Sequence, residues 1–280
     1  MVAITLPDGS VRTYDSQITA GDVAAEIGPG LAKAAMVAKV NGELWDLDRP
    51  ITEDANIALI TNKDEEEALD VLRHDAAHVL AMAVQELFPG TQITFGPSIE
   101  DGFYYDFHRE EPFSTDDFEA IEKKMAEIVD RDEAISREVW SRADATKFFE
   151  SIGETFKAEH VGNLPEDAEI SLYRQGNWVD LCAGPHLPST GKLGKAFKLM
   201  KVAGAYWRGD HRNAMLQRIY GTAWSDEKPL KAHLHRLEEA EKRDPRRLGT
   251  QLDVFPFQEE AQGQVFGHPN GWRLYRTVTS

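Results

Sequence analysis

The chain has 280 residues, of which 41% are hydrophobic and 28% are charged, as in globular proteins with two or three domains. No stretch approaches the roughly 20 apolar residues of a membrane span, and the first residues carry neither a basic cluster nor the apolar core of a secretory signal. We therefore expect a cytoplasmic protein with no membrane partner. The single cysteine, Cys182, excludes an internal disulfide framework.

The formal net charge of −17 disfavours non-specific contact with polyanions, and we expect no DNA partner. The charge is unevenly distributed, because residues 192–248 carry 14 Lys and Arg against 7 Asp and Glu. Such a basic stretch can bind phosphates locally. A solvated helix face is the alternative interpretation.

Residues 1–63 have the pattern of a small mixed sheet. "AITLPDGSVRTY" predicts two strands around a Pro-Asp-Gly turn, and "VNGELWDL" predicts a hairpin at Asn41-Gly42. Between them, Thr19 and Gly28 are typical start and stop residues for one short helix, and "ANIALIT" supplies a closing strand. This order indicates a ubiquitin-like β-grasp, and none of its residues suggests catalysis.

Residues 64–225 predict an α+β domain with a mixed or antiparallel sheet. Acidic residues open a helix whose apolar stripe leaves His74 and His78 on roughly the opposite face. "TQITFGPSI" and "GFYYDF" are strand-like, and a long polar helix is expected from about Ser114 to Asp132. Residues 226–247 then predict a charged linker helix, and residues 248–280 begin a further segment.

Two pairs of possible metal ligands stand out. His74 and His78 lie four residues apart in "HDAAH", which lacks the glutamate of the helical zinc protease motif. Cys182 and His186 lie four apart in a Gly-Pro loop beside Asp180. The four could form a tetrahedral zinc site, a catalytic pocket without metal, or a structural coincidence. Lys157 and the Tyr104-Tyr105 pair are candidates only by context.

"RHDAAHVLAMAVQELFP", "GPSIEDGFYYDF", "DLCAGPH" and "FKLMKVAGAYWRGDHRNAMLQRIYGTAW" occur in this order behind the predicted β-grasp. Together they closely resemble the N-terminal half of bacterial threonyl-tRNA synthetases, over essentially the whole chain. The resemblance implies a TGS domain at 1–63 and an editing domain at 64–225, of the kind found in threonyl- and alanyl-tRNA synthetases. It further implies a linker helix at 226–247 and the first elements of a class II catalytic core at 248–280.

The resemblance also implies an editing pocket that works without a cofactor. Its catalytic residues would be those of the two paired motifs together with a lysine and an aspartate: His74, His78, Lys157, Asp180, Cys182 and His186. Gly96 and Tyr105 would form the substrate-binding wall. If zinc is bound instead, its ligands would be His74, His78, Cys182 and His186. In the basic stretch, the candidate tRNA contacts are Lys198, Lys201 and Arg208.

The expected activity follows from a selectivity problem. Serine lacks one methyl group of threonine, and a pocket gains only about 1 to 3 kcal/mol from one methyl, so a second, hydrolytic site is expected. The resemblance implies hydrolysis of seryl-tRNA(Thr). A tRNA-binding module without catalysis and a zinc-dependent hydrolase of the alanyl type are the alternatives.

For the whole enzyme, the resemblance implies ligation of threonine to tRNA(Thr). ATP, Mg and Zn sites would belong to catalytic elements beyond Ser280, so no ligation is expected from this chain. A homodimer formed through those elements is expected for the full-length enzyme, and a monomer for this chain.

Overall fold

The computed structural model describes residues 1–63, 65–243 and 269–279. Backbone contacts divide the chain into two compact units, Met1–Glu227 and Lys228–Ser280. Among the described residues, no helix combines the length and apolar character needed to cross a membrane.

The first 61 residues form a mixed sheet beside two short helices. The elements are β1 (Val2–Thr5), β2 (Val11–Tyr14), β3 (Ile18–Thr19), α1 (Ala20–Ile27), α2 (Pro29–Ala34), β4 (Ala35–Val40), β5 (Glu43–Trp45), β6 (Pro50–Ile51) and β7 (Ala55–Thr61). The main sheet has the order β2-β1-β7-β4-β5, in which β1 and β7 are parallel and the other pairs antiparallel. This is the predicted β-grasp.

Local chemistry explains its helix and hairpin. The Thr19 side chain accepts from the backbone N–H of Asp22, whose carboxylate accepts in return, and this capping box begins α1. Asn41 and Gly42 have φ values of 49° and 95°. Positive φ at both positions is what a two-residue hairpin turn requires, and the predicted hairpin is confirmed. Helix α2, which begins at Pro29, was not predicted.

The next region, residues 65–225, contains four helices and eight strands in the part of the chain that is described. They are α3 (Glu65–Leu87), β8 (Gln92–Ile93), β9 (Ser98–Ile99), β10 (Gly102–His108), α4 (Phe118–Arg131), β11 (Ile135–Trp140), α5 (Arg142–Ser151), α6 (Thr155–Asn163), β12 (Ile170–Gln175), β13 (Trp178–Leu181), β14 (Phe197–Tyr206) and β15 (Met215–Ala223). One antiparallel sheet has the order β14-β15-β10-β8 with β9 also on β10, and a second has the order β11-β12-β13. The predicted α+β class is confirmed.

Helix α3 is the centre of the largest core. Its residues pack with apolar side chains of α4, the β10–β15 sheet and the β-grasp strands, including Met36 and Ile60. The stripe in the sequence predicted one apolar face, but residues from Val71 to Val84 are buried around nearly the whole helix, His74 excepted. His78 is therefore enclosed rather than placed on a solvated face.

The predicted polar helix from Ser114 to Asp132 is also observed. Ser114 caps a 3-10 turn that leads into α4, and Asp132 ends the helix in the left-handed region with φ of 48°. A smaller core joins α5 and α6 to β12 and β13. Since α6 carries Lys157 and β13 carries Asp180, this core sets one wall of the site described below.

The second unit contains all but the first residue of α7 (Glu227–Lys242), and it contains α8 (Pro269–Thr279). Helix α7 agrees with most of the linker helix predicted at 226–247, whose last four residues lie outside the described part. The predicted start of a catalytic core at 248–280 also lies outside it, except for α8. The domain boundaries stay predictions.

Candidate active site

The two predicted residue pairs converge. His74 and His78 project from the same side of α3, while Cys182 and His186 come from the loop after β13. The imidazole rings of His74, His78 and His186 have centroids 4.5 to 4.9 Å apart. The Nε2 atom of His74 lies 3.0 Å from the Cys182 sulfur. The structure thus assembles three imidazoles and one thiol in a single cluster.

Charge is shared within this cluster. Burial acts to raise the pKa of Cys182, but the surrounding imidazoles His74, His186 and His78 outweigh it and hold that pKa well below the ordinary value of a thiol. Burial acts to lower the pKa of His186, but the negative charges of Asp75 and Cys182 hold it well above its ordinary value. These directions favour a thiolate beside a charged imidazole.

His78 behaves differently from His186. Burial, reinforced by the nearby charge of His186, lowers the pKa of His78. Its Nδ1 atom is buried and has no hydrogen-bond partner among the described residues, although the Asp180 carboxylate lies 3.5 Å away. Burial and the charge of His186 both favour the neutral form of His78.

Asp75 was not predicted as a site residue. Its buried carboxylate accepts from His186 Nδ1 at 2.7 Å and from the backbone N–H of Leu187 at 2.8 Å. This pairing directs His186 Nε2 toward the cluster, where it has no hydrogen-bond partner among the described residues. A carboxylate that fixes the tautomer of a functional imidazole is a common supporting group.

Lys157 and Asp180 form a buried ion pair next to the histidines. The Nζ atom of Lys157 lies 2.5 Å from one Asp180 oxygen, and both side chains are at most 2% exposed. Tyr105 donates its hydroxyl to the other oxygen at 2.7 Å, and the backbone N–H of Leu181 also donates to this carboxylate. Asp180 therefore connects Lys157 and Tyr105 and lies beside His78.

The predicted wall residues Gly96 and Tyr105 touch each other. A side chain at Gly96 would overlap the Tyr105 ring, so the close approach requires glycine. Both residues line the cavity at this site. Tyr105 is fully buried, and its hydroxyl is committed to Asp180. Their role in binding a substrate stays a prediction.

A second supporting chain runs behind His78. The Trp178 ring meets the His78 ring edge-on at 5.7 Å, and its N–H donates to Gln85 at 2.7 Å. Gln85 in turn donates to Glu154 at 2.5 Å, and the backbone N–H of Ile93 donates to the other Glu154 oxygen. Burial raises the pKa of Glu154 to about 7, although these hydrogen bonds favour its charged form. No motif indicated Glu154.

An open cavity of about 550 Å³ lies at this site, and the predicted residues that line it are His74, His78, Gly96, Tyr105, Lys157, Asp180 and Cys182. His186 lies behind them, in contact with the rings of His74 and His78. Phe95 stands at its rim, 36% exposed, and stacks on Trp207 with ring centroids 5.5 Å apart. The His160 ring meets Phe95 edge-on at 4.7 Å. Next to Trp207, Arg208 forms an ion pair with Glu159 at 3.0 Å. The rim therefore adjoins the end of the basic strand β14.

The three predicted tRNA contacts lie along β14 and the turn after it. Lys198 pairs with Glu122 at 2.8 Å, and the Lys201 ammonium lies 4.6 Å from the Tyr220 ring centroid. With Arg208 paired as well, two of the three cations are already opposed by carboxylates. Their contact with tRNA stays a prediction.

The residues of the cluster fit a metal ion. One ligand atom from each of His74, His78, Cys182 and His186 lies within 4.8 Å of the others. Three nitrogens and one sulfur are ligands that zinc prefers in tetrahedral sites. Asp75 would supply the outer carboxylate that zinc-binding histidines commonly have. The group could therefore hold zinc.

Comparison with known families now defines the class of the domains. Residues 2–61 match the TGS domain, and residues 170–220 match the threonyl and alanyl tRNA synthetase second additional domain. The second match contains β12, β13 and the Cys182 loop. The chain thus combines a TGS domain with a later segment similar to the second additional domain of threonyl and alanyl tRNA synthetases.

Individual relatives agree. The chain is 68% identical over all 280 residues to the threonine–tRNA ligase of Maricaulis maris and covers 43% of that protein. It is 64% identical over its full length to the threonine–tRNA ligase of Paramagnetospirillum magneticum, of which it covers 44%. The chain is therefore similar to the N-terminal part of bacterial threonine–tRNA ligases and spans less than half their length. The predicted resemblance is confirmed.

Proposed function

We propose that this chain hydrolyses the ester bond of tRNA(Thr) mischarged with serine. The observation that carries the proposal is the convergence of two imidazoles, one thiol and a buried Lys157–Asp180 pair on one cavity, with the third imidazole, His186, packed behind them. An aminoacyl ester is already labile, so placing one water molecule and stabilising the developing charge can supply the catalysis. The editing-type domain match supports the same reaction class.

The reaction needs a base and a positive group, and the site offers both. A neutral imidazole of the His74–His78 pair takes a proton from water as the water oxygen bonds to the ester carbonyl carbon. The carbonyl oxygen becomes negative, and the Lys157 ammonium, held by Asp180, stabilises it. The bond to the ribose oxygen then breaks, and that oxygen takes the proton. The products are serine and tRNA with a free terminal hydroxyl.

The remaining groups of the cluster orient the imidazoles. Asp75 fixes the ring of His186, and burial, together with repulsion from His186, lowers the pKa of His78 and so favours its neutral form. The Cys182 sulfur lies 3.0 Å from His74 Nε2 and so fixes the direction of that ring. In this arrangement His74 and His78 share the role of base, and the other predicted catalytic residues position them or stabilise charge.

We propose that the reaction proceeds without metal, with the four clustered residues acting as a hydrogen-bonding pocket. A zinc-dependent hydrolase is the second candidate, favoured by the fit of His74, His78, Cys182 and His186 to zinc. When bound, zinc would polarise the carbonyl or activate water. A zinc ion in the cluster would be repelled by the ammonium group of Lys157. The carboxylate of Asp180 weakens this repulsion, because its negative charge compensates the charge of the lysine.

The basic strand β14 and the adjoining rim are proposed to receive the acceptor arm of tRNA. Lys198, Lys201 and Arg208 would contact phosphates, and the exposed face of Phe95 offers a surface for stacking a base. Ligation of threonine, a homodimer and a cytoplasmic location are proposals for the whole protein, because the chain spans less than half of its relatives.

Selective deacylation tests the proposed function. The purified chain is incubated with seryl-tRNA(Thr) or threonyl-tRNA(Thr), and spontaneous hydrolysis is subtracted. We expect turnover of the serine ester and sparing of the threonine ester, because the pocket must refuse one methyl group. Equal rates on both esters would reject serine selectivity. Binding of tRNA without hydrolysis would favour a non-catalytic binding module.

Elemental analysis alongside chelation decides between the two candidate chemistries. We expect full activity in EDTA and no stoichiometric zinc in the purified chain. Stoichiometric zinc whose removal abolishes deacylation, with activity restored by added zinc, would establish the zinc-dependent candidate instead.

A further inference from the structure

Asp46, a residue of the β-grasp domain, is hydrogen-bonded to the loop that carries Cys182 and His186. Asp46 follows β5 and is 6% exposed. One of its oxygens accepts from the backbone N–H of His186 at 2.8 Å, and the other accepts from the Tyr173 hydroxyl at 2.8 Å. A single carboxylate thus reaches both a cluster residue and the strand that supports the cluster.

Tyr173 in turn contacts the same loop. Its ring lies against the His186 ring, with centroids 4.2 Å apart. A side chain at Gly184 would overlap the Tyr173 hydroxyl, and Gly184 has φ of 74°, which favours glycine. The loop therefore follows the surface of Tyr173 closely. Moving the Tyr173 hydroxyl or the His186 backbone would displace the loop relative to α3.

The segment that carries Asp46 is itself anchored. The carbonyl of Leu47 accepts from the backbone N–H of Gly21 in α1. Two residues before Asp46, Leu44 lines the reaction cavity. The β-grasp domain thus contributes to the wall of the cavity as well as to the support of His186.

We propose that Asp46 is a positioning residue of the hydrolytic site, through which the β-grasp domain sets the place of His186 and Cys182. Asp46 does not touch the reacting atoms. It acts together with Asp75, which holds His186 Nδ1, so that two carboxylates from different domains fix the backbone and the ring of one histidine. This inference rests on the proposed hydrolysis for its catalytic consequence, but not for its structural one.

The test uses the full chain and two independent readouts. The first is kcat and KM for seryl-tRNA(Thr). The second is the alkylation rate of Cys182 by iodoacetamide at one fixed pH in EDTA, which reports on a single site because the chain has one cysteine. The variants are Asp46→Ala, Asp46→Asn and Tyr173→Phe. Asp15→Ala, at an exposed position of the same domain, is the matched control.

Asp46→Ala removes both hydrogen bonds and is expected to lower kcat about tenfold while leaving KM nearly unchanged, because catalytic groups are misplaced. It should also change the alkylation rate by about threefold or more, because the surroundings of the thiol change. Asp46→Asn can still accept from His186 and bond to Tyr173, so it should restore most of both readouts. Asp15→Ala should match the wild type.

A purely structural role would give Asp46→Ala a lower melting temperature with wild-type kcat and alkylation, and that result overturns the proposal. If Asp46→Ala does not fold, Tyr173→Phe decides: a changed alkylation rate supports the proposal, and a wild-type rate in both readouts overturns it. If the wild-type chain shows no deacylation, the proposed function fails. The alkylation readout then decides on Asp46 alone.

Discussion

The cavity beside the histidine cluster and the basic strand β14 both contain cationic side chains, but their surroundings differ. In the cavity, Lys157 is at most 2% exposed and meets Asp180 at 2.5 Å. On β14, Lys198 is about half exposed and meets Glu122 across a solvated surface. Removing one member of the buried pair leaves the other charge buried without a counter-ion. Removing one member of the surface pair lets water and salt ions take its place.

This contrast predicts that substitutions in the cavity change deacylation or stability strongly and independently of salt. Substitutions on β14 should change tRNA binding weakly and in a salt-dependent way. Cavity residues contact one another, so substitutions there should affect hydrolysis. The lysines of β14 are exposed, so substitutions there should affect tRNA binding.

The largest effect is expected from Lys157→Met. The substitution leaves Asp180 buried without its cation, and breaking such a pair costs about 3 to 5 kcal/mol. It also removes the group proposed to stabilise the oxyanion, so deacylation should fall about 100-fold or more. Urea unfolding and single-turnover deacylation measure the two effects. Lys147→Met, at an exposed lysine of α5, is the control, and a wild-type rate for Lys157→Met would exclude the proposed role.

The raised pKa of Glu154 should make the stability of the folded chain depend on pH. Its pKa is about 7 in the folded protein and its ordinary value is 4.5. Between these values the folded chain binds the extra proton, so the free energy of unfolding should fall as pH rises, by up to about 3 kcal/mol at 1.36 kcal/mol per pKa unit. The buried carboxylate is thus least stabilising when charged.

The measurement compares urea unfolding of the wild type and Glu154→Gln from pH 4.5 to 8. Other carboxylates titrate in both proteins, so only the difference between the two curves is used. The wild type should lose stability relative to the variant as pH rises. Glu150→Gln, exposed on α5, should give a curve parallel to the wild type. A parallel curve for Glu154→Gln would contradict the raised pKa.

The third effect concerns Asp75→Asn. The amide can still accept from Leu187, but it donates to His186 Nδ1, so it favours a neutral His186 ring with its proton on Nε2 in place of the charged ring. Loss of such a supporting carboxylate costs about 10- to 100-fold. We expect kcat to fall by this factor in EDTA with little change in KM. Asp130→Asn, on the exposed face of α4, serves as the control, and equal kcat values for both variants would show that Asp75 does not orient His186 for catalysis.

Local sequence signals predicted much of the fold. The Asn41-Gly42 turn and the Thr19 cap act within a few residues, so their chemistry could be read directly. The spacing of His74 with His78 and of Cys182 with His186 also predicted two pairs that the structure brings together.

The supporting groups could not be predicted in the same way. Asp75 is adjacent to His74 in the sequence, yet its partner His186 lies 111 residues away. Asp46 meets Tyr173 across 127 residues and His186 across 140. The Asp46 hydrogen bonds depend on how the β-grasp packs against residues 65–225, and the Asp75 hydrogen bond depends on how the Cys182 loop packs against α3. The packing around α3 also buries the face opposite the apolar stripe, so the burial of His78 could not be predicted from the stripe alone.

The smallest effect is expected for tRNA binding when the cations of β14 and the turn after it are neutralised. Each phosphate contact contributes about 0.9 to the salt slope of duplex binding. Lys198 and Arg208 are opposed by Glu122 and Glu159, so neutralising them together with Lys201 should lower the slope by only about 1 to 2 and the affinity a few-fold. Titration of uncharged tRNA(Thr) at several salt concentrations measures both.

Removing the carboxylate that pairs with Lys198 distinguishes two explanations of a small effect: cations weakened by their ion pairs, and cations that do not contact tRNA. Glu122→Gln keeps an oxygen for the backbone N–H of Leu199 but removes the charge that opposes Lys198. If β14 receives the acceptor arm, this variant should bind tRNA more tightly at low salt and show a steeper slope. An unchanged slope in both Glu122→Gln and the triple variant would place the tRNA contacts elsewhere, while leaving the cavity predictions intact because they do not depend on how tRNA is held.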